Sequence, residues 1–256
     1  MPTRFNCVLY GEAGAGKTPL CGTLESYPET SPCLLLDVDM GSMSLVAPPI
    51  PTVLPVDKWS VMQEVFTFIS RGEWDKLAVY IDKSKLQQEG TTPAKVYKSL
   101  VIDSATELEY VCRTLVLQEH SSDSGKGGEV PEQQDYLRTG ERMKRMVRAY
   151  YRHTNLTVVM TAGVRDLKDE RDGIVRHFPA FTPGLSKDIV RMTDLIMYMN
   201  VSSEKEQLVR TLQTQLSSRI VARDRSQRLA PLIKGEKLYF KDIASRVMSD
   251  NLQRPT

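Results

Sequence analysis

The segment Gly11-Glu12-Ala13-Gly14-Ala15-Gly16-Lys17-Thr18 constrains the chain more than any other, because it fits G-x-x-x-x-G-K-[ST] and directly follows an apolar run at residues 5–10 (FNCVLY). A buried strand has to stop at such a loop, and a helix has to start from about Lys17. The glycines let the backbone wrap closely enough for successive N–H groups to face phosphate oxygens, while Lys17 neutralises the β- and γ-phosphates. Thr18 supplies its hydroxyl to Mg²⁺, and Pro19 falls in the first helical turn, where a missing N–H matters little. Residues 11–19 are therefore expected to cradle a nucleoside phosphate and its metal.

Residues 33–39 (CLLLDVD), 100–104 (LVIDS) and 156–162 (LTVVMTA) read as three more buried strands. Between them, Val61, Met62, Val65, Phe66 and Ile69 share one helical face, as do Leu108, Val111, Cys112 and Leu115. Strands alternating with helices imply an α/β fold whose mainly parallel sheet is flanked by helices. Residues 164–187 are charged and broken by Gly and Pro, and read mostly as loop; residues 119–134 read as a second loop. Closely spaced strands at 195–201, 208–216 and 219–222 suggest antiparallel C-terminal strands, and a final helix is expected over 240–248. Without an internal repeat or a boundary, residues 1–256 are expected to form a single domain. No stretch approaches the ~18 apolar residues of a membrane span, and no signal-peptide pattern opens the chain, so a cytoplasmic protein without membrane contact is expected. Cys7, Cys21, Cys33 and Cys112 lack metal-ligand spacing and read as reduced core residues.

A phosphate loop needs an acidic residue at the end of a neighbouring strand to hold the metal, and Asp103 is placed for it, the alternative being a turn-capping Asp. Ser104 follows, so the group acting on the attacking water must come from elsewhere. Asp37 and Asp39 end the second strand, on the side where a parallel sheet opens its crevice; Asp39 is favoured for orienting the water, the alternative being a cap. Formal net charge is only +2, yet residues 210–241 hold eight basic residues against two acidic ones. On a helix through 137–152, Arg138, Arg142, Arg145 and Arg152 share one stripe, and Met143, Met146, Val147 and Tyr150 another. Such a stripe is either a solvated face or a surface that follows a phosphate backbone.

The order of GEAGAGKT, LLLDVDMG, LVIDSATELE, LTVVMTAG and IVARDRSQR resembles the RecA-like ATPase core, and within it the phage single-strand annealing ATPases of the Sak type. The resemblance covers nearly the whole chain and implies an ATPase that uses ATP and Mg²⁺. It implies that Asp39 takes the place of the family's catalytic Glu, one methylene shorter, that Asp103-Ser104 matches the second acidic motif, and that Thr161 senses the γ-phosphate. Arg223 and Arg225 look like the family's pair of basic residues that reaches a neighbouring subunit's nucleotide. That pairing implies a homo-oligomer, filament or ring. The loops that contact DNA in this group match 119–134 and 164–187, where Lys126, Arg165, Lys168, Arg171, Arg176, His177 and Lys187 supply charge and Phe178 and Phe181 supply stacking rings. The function so implied is ATP-dependent binding of single-stranded DNA for annealing or strand exchange in recombination, with a single-strand-binding protein as a further partner. A small-molecule or nucleotide kinase and a regulatory assembly or helicase-loading ATPase stay open beside it.

Overall fold

Apolar runs that do not alternate make strands covered on both faces, and the first of them forms β1 (Asn6–Gly11), in which Cys7, Val8, Leu9 and Tyr10 are all fully buried. In the computed structural model, which describes residues 4–46, 48–83, 96–124, 130–168, 173–204 and 207–248, the chain continues through α1 (Lys17–Gly22), β2 (Cys33–Asp37), β3 (Thr52–Pro55), α2 (Trp59–Arg71), α3 (Trp74–Lys83) and β4 (Ser99–Asp103). There follow α4 (Ala105–Ser124), α5 (Gln133–His153), β5 (Thr157–Ala162), β6 (Val164–Lys168), β7 (Val175–Pro179) and α6 (Pro183–Met192). The last elements are β8 (Leu195–Glu204), β9 (Gln207–Gln213), β10 (Arg223–Asp224), β11 (Leu232–Gly235) and α7 (Phe240–Met248).

The main sheet runs β11-β9-β8-β1-β5-β4-β2-β3, with β10 paired to β8 off this path. From β8 to β3 every pairing is parallel, and β9, β10 and β11 are antiparallel additions at the other edge. Side-chain alternation along β1 divides the core. Val8 and Tyr10 point into a cluster with Met62, Ile81, Leu108, Met143, Tyr150 and Ile189, so α2 to α6 cover one face. Cys7 and Leu9 point into the other cluster, with Leu20, Leu24, Phe240 and Ile243, where α1 and α7 lie.

Several expectations change. Residues 164–187 are not mainly loop: β6 and β7 form an antiparallel hairpin and α6 begins at Pro183. The hairpin is largely wet on both sides, so no two-residue hydrophobic period marks it, and Pro183, which reads as a breaker, is tolerated at a first helical position. Residues 119–124 complete α4 and 125–129 fall outside the described residues, together with Lys126. The strand expected at 219–222 is displaced to Arg223–Asp224, leaving a single bridge between His177 and Ile220. β3, α3 and β11 are elements beyond those the hydrophobic pattern announces. No described helix is long and apolar enough to cross a membrane, and all four cysteines are free and buried.

Candidate nucleotide-binding site

β1 delivers the chain to the loop with no room for a side chain at its end: a Cβ on Gly11 would stand 2.2 Å from the Met199 carbonyl oxygen of β8. Gly14 (φ +76°) and Gly16 (φ +98°) take left-handed conformations that L side chains avoid, and Gly16 caps α1. These turns bring Lys17 back over the loop, where its ammonium donates to the carbonyls of Gly11 and Glu12, each at 2.9 Å. Burial lowers the Lys17 pKa, opposed by the negative field of Asp103 and then Asp39. The loop opens on a cleft of about 580 Å³ lined by Ala13, Gly14, Gly16, Lys17, Thr18 and Pro19, with Asp39, Asp103 and Arg210 on its walls. That volume lies in the range of small-molecule sites.

Asp103 reaches the cleft from the end of β4 and is 2% exposed. One oxygen accepts a short hydrogen bond from Thr161 Oγ1, while Oδ2 is buried without a hydrogen-bond partner. Desolvation raises its pKa, opposed first by the hydrogen bond from Thr161. A buried carboxylate oxygen with no donor beside a threonine hydroxyl is a place for a cation. Mg²⁺ keeps waters and takes one or two protein ligands besides phosphate oxygens, a demand that one hydroxyl and one carboxylate meet. Thr18 and Asp103, both on the wall of the cleft, are the residues that would hold it.

The two candidate carboxylates after β2 separate by their partners. Asp37 is buried and accepts from the Gly41 and Ser42 amides at 2.9 and 3.1 Å, so it holds the turn at Gly41–Ser44. Asp39 is exposed on the cleft wall, its Oδ1 only 3.0 Å from where a Gly41 Cβ would sit. Asp39, not Asp37, is the group free to face a water. Thr161, expected to sense the γ-phosphate, is fully buried, and its hydroxyl donates to Asp103 and positions that carboxylate.

Arg223 and Arg225, expected to reach a neighbouring subunit's nucleotide, make their contacts within this chain at the end of α6. β10 pairs with Leu195 and Ile196, at the start of β8 and so at the end of the sheet away from the phosphate loop. Arg223 donates to the carbonyls of Val190 and, at 2.5 Å, Thr193; Arg225 donates to the Arg191 carbonyl at 2.6 Å and pairs with Asp194 at 3.0 Å. The two share a face as i, i+2 residues should, but they serve the C-terminal end of α6, whose free carbonyls and partial negative charge attract cations.

Among the residues expected to meet DNA, Phe181 is 2% exposed and packed in the core, so its ring is unavailable for stacking. Arg165 is tied to the Phe181 carbonyl at 2.9 Å, and Arg142 is held by Glu119 through two hydrogen bonds. His177 pairs with Asp166 at 2.6 Å. Arg176, Phe178 and Lys187 are half-buried, Lys168 is exposed, and Arg171 lies outside the described residues. Arg138, Arg145, Arg148 and Arg152 are exposed along α5 without a direct ion pair among the described residues. Sequence reasoning missed Arg210 as a site residue; its one signal was membership of the basic C-terminal stretch.

A family model described as "AAA domain" matches residues 3–226. A search of curated proteins returns no match. Among solved structures, the flagellar accessory protein FlaH from Methanocaldococcus jannaschii is similar at 10% identity and a TM-score of 0.43, over 83% of this chain and 78% of that one. A prototypical ATPase from the type III secretion system of pathogenic bacteria is similar at 13% identity and a TM-score of 0.45, over 77% of this chain; the present chain spans only 52% of that protein.

Proposed function

The chain belongs to the AAA domain family and is a P-loop ATPase; from that premise we propose that it couples ATP turnover to the binding of single-stranded DNA, in annealing or strand exchange of the kind carried out by the Sak-type proteins it resembles. ATP with Mg²⁺ is its proposed ligand pair, and copies of the chain assembled along the strand, with a single-strand-binding protein, are its proposed partners. Bound Mg²⁺ would offset phosphate charge and polarise the bond to be broken. The chain's own contributions are separable. Lys17 leaves the Gly11 and Glu12 carbonyls for phosphate oxygens, Thr18 and Asp103 hold the metal, and Asp39 orients water.

The observation that carries DNA binding is the exposed arginine row of α5. Arg138, Arg145 and Arg152 recur every seven residues, and Arg148 falls between them on the same side. Beside this row, α2, α4 and α5 enclose a groove of about 490 Å³ walled by Phe66, Met146, Arg142 and Arg145. Cations beside an apolar floor suit a flexible polyanion whose bases offer flat faces. The test is fluorescence anisotropy of a labelled single-stranded oligonucleotide with and without ATP and Mg²⁺ at two salt concentrations. Salt-sensitive, ATP-enhanced binding is expected; it should be lost in Lys17→Ala and weakened at least tenfold by Arg138→Glu with Arg145→Glu. No binding under any condition refutes the DNA reading and leaves an ATPase that acts on other partners.

A further inference from the structure

The strand order places β1 and its loop between two unlike flanks. On one side, through β5, stand β4 and β2 with Asp103 and Asp39; on the other, through β8, stands β9. β9 pairs with β8 so that Arg210 lies opposite Val201, two residues beyond the Met199 that faces Gly11. From there the arginine leans over the phosphate loop: a Cβ on Gly16 would lie 3.0 Å from Arg210 Nε and 3.6 Å from its Cδ. Arg210 also lines the same cleft as Lys17 and Thr18.

Its guanidinium is underused. One nitrogen donates to the Glu236 carbonyl at 2.6 Å, and no carboxylate partners it among the described residues. A half-buried guanidinium with most of its five N–H donors unspent and no counter-ion is suited to a phosphate, which it engages in a planar fork. Pro19, at the third position of α1, costs the helix little but adds no N–H to the backbone cradle, so a side-chain donor beside the loop has a phosphate contact to supply.

Building on the P-loop ATPase reading, we propose that Arg210 binds the nucleotide in cis, contacting the phosphate chain on the side of the loop opposite Asp103 and Asp39. Asp39, the residue proposed to orient the attacking water, would mark the γ-phosphate side of the cleft. Arg210 therefore meets the phosphates that ADP and ATP have in common.

The test is a titration of fluorescently labelled ADP and of a labelled non-hydrolysable ATP analogue, both with Mg²⁺, into the wild-type chain, Arg210→Ala, Arg210→Lys and Lys17→Ala. Arg210→Ala is expected to weaken both nucleotides by the same factor, about tenfold or more, with Arg210→Lys in between. Thermal unfolding of the nucleotide-free variants shows whether they are folded; the stabilisation that ADP adds should shrink in Arg210→Ala even if its starting midpoint has moved. Unchanged affinity for both nucleotides overturns the proposal. A loss confined to the ATP analogue overturns it as well, since Arg210 would then face the γ-phosphate. If the wild-type chain binds neither nucleotide, the P-loop reading itself falls, an outcome distinct from a wild type that binds and an Arg210→Ala variant that binds equally well.

Discussion

Asp103→Asn separates what the site needs from what the fold needs. The carboxylate is 2% exposed, one of its oxygens lacks any partner, and its pKa is raised chiefly by desolvation. A raised carboxyl pKa means that the folded state disfavours the ionised form relative to the unfolded chain, so near pH 7 the charge lowers stability. Asparagine keeps the shape, and its carbonyl can still accept from Thr161, while an unsatisfied neutral amide is less unfavourable than an unsatisfied charge. The net gain should be about 1 kcal/mol, or roughly 2–4 °C in unfolding midpoint for a chain of this size. Function should move the other way. Without the carboxylate the metal loses its protein anion, and turnover should fall at least a hundredfold, equivalent to about 2.7 kcal/mol of barrier. Thermal unfolding monitored by circular dichroism with chelator, beside a phosphate-release assay with ATP and Mg²⁺, reads both effects. A variant whose chelated midpoint drops by several degrees would refute the reasoning, because the carboxylate would then be stabilising the resting fold. Wild-type turnover would refute its place at the metal.

Two other perturbations test neighbouring claims. Thr161→Val removes the hydroxyl that fixes Asp103 and should raise the Mg²⁺ concentration needed for half-maximal turnover about tenfold, while metal-free ADP binding stays as in wild type; loss of ADP binding would instead place Thr161 against the phosphates. Arg223→Ala leaves the last carbonyls of α6 without their donor and should lower stability by about 1–3 kcal/mol, seen in denaturant melts, with turnover per folded molecule unchanged at a temperature well below the transition.

What the sequence made legible was local. The loop at 11–18, the strand-ending Asp103 and the helix over Phe240–Met248 are each written in a short run of residues whose spacing has one structural meaning. Asp39 and Asp37 were harder to tell apart, because only the turn at Gly41–Ser44 reveals which carboxylate is already engaged. Arg210 could not be found from spacing at all. It belongs to the site through two successive strand pairings, β1 with β8 and β8 with β9, and neither partner is close to the loop in sequence. The same distance explains Arg223 and Arg225, whose shared face was foreseen but whose target, the end of α6, was not. Phe181 looked like an exposed ring in a charged segment. It is buried because the Ser186 hydroxyl and the Arg165 guanidinium both bond its carbonyl, turning the chain inward just before α6.

The position of β1 has a consequence for how the chain is made. Its two neighbours in the sheet are β5 and β8, so Asn6 meets Val158 and Cys7 meets Leu195, whereas β2 pairs with β3 and β4 over much shorter stretches of sequence. During synthesis the strand carrying the phosphate loop leaves the ribosome before the other strands of the sheet, yet finds its first sheet neighbour only after residue 157 has emerged, and its second only after residue 195. Until then an apolar strand stands with both edges open, a condition that invites pairing with other chains. Nascent chains halted between β5 and β8 should therefore bind no nucleotide and be prone to aggregate, even though every residue of the loop itself has been made.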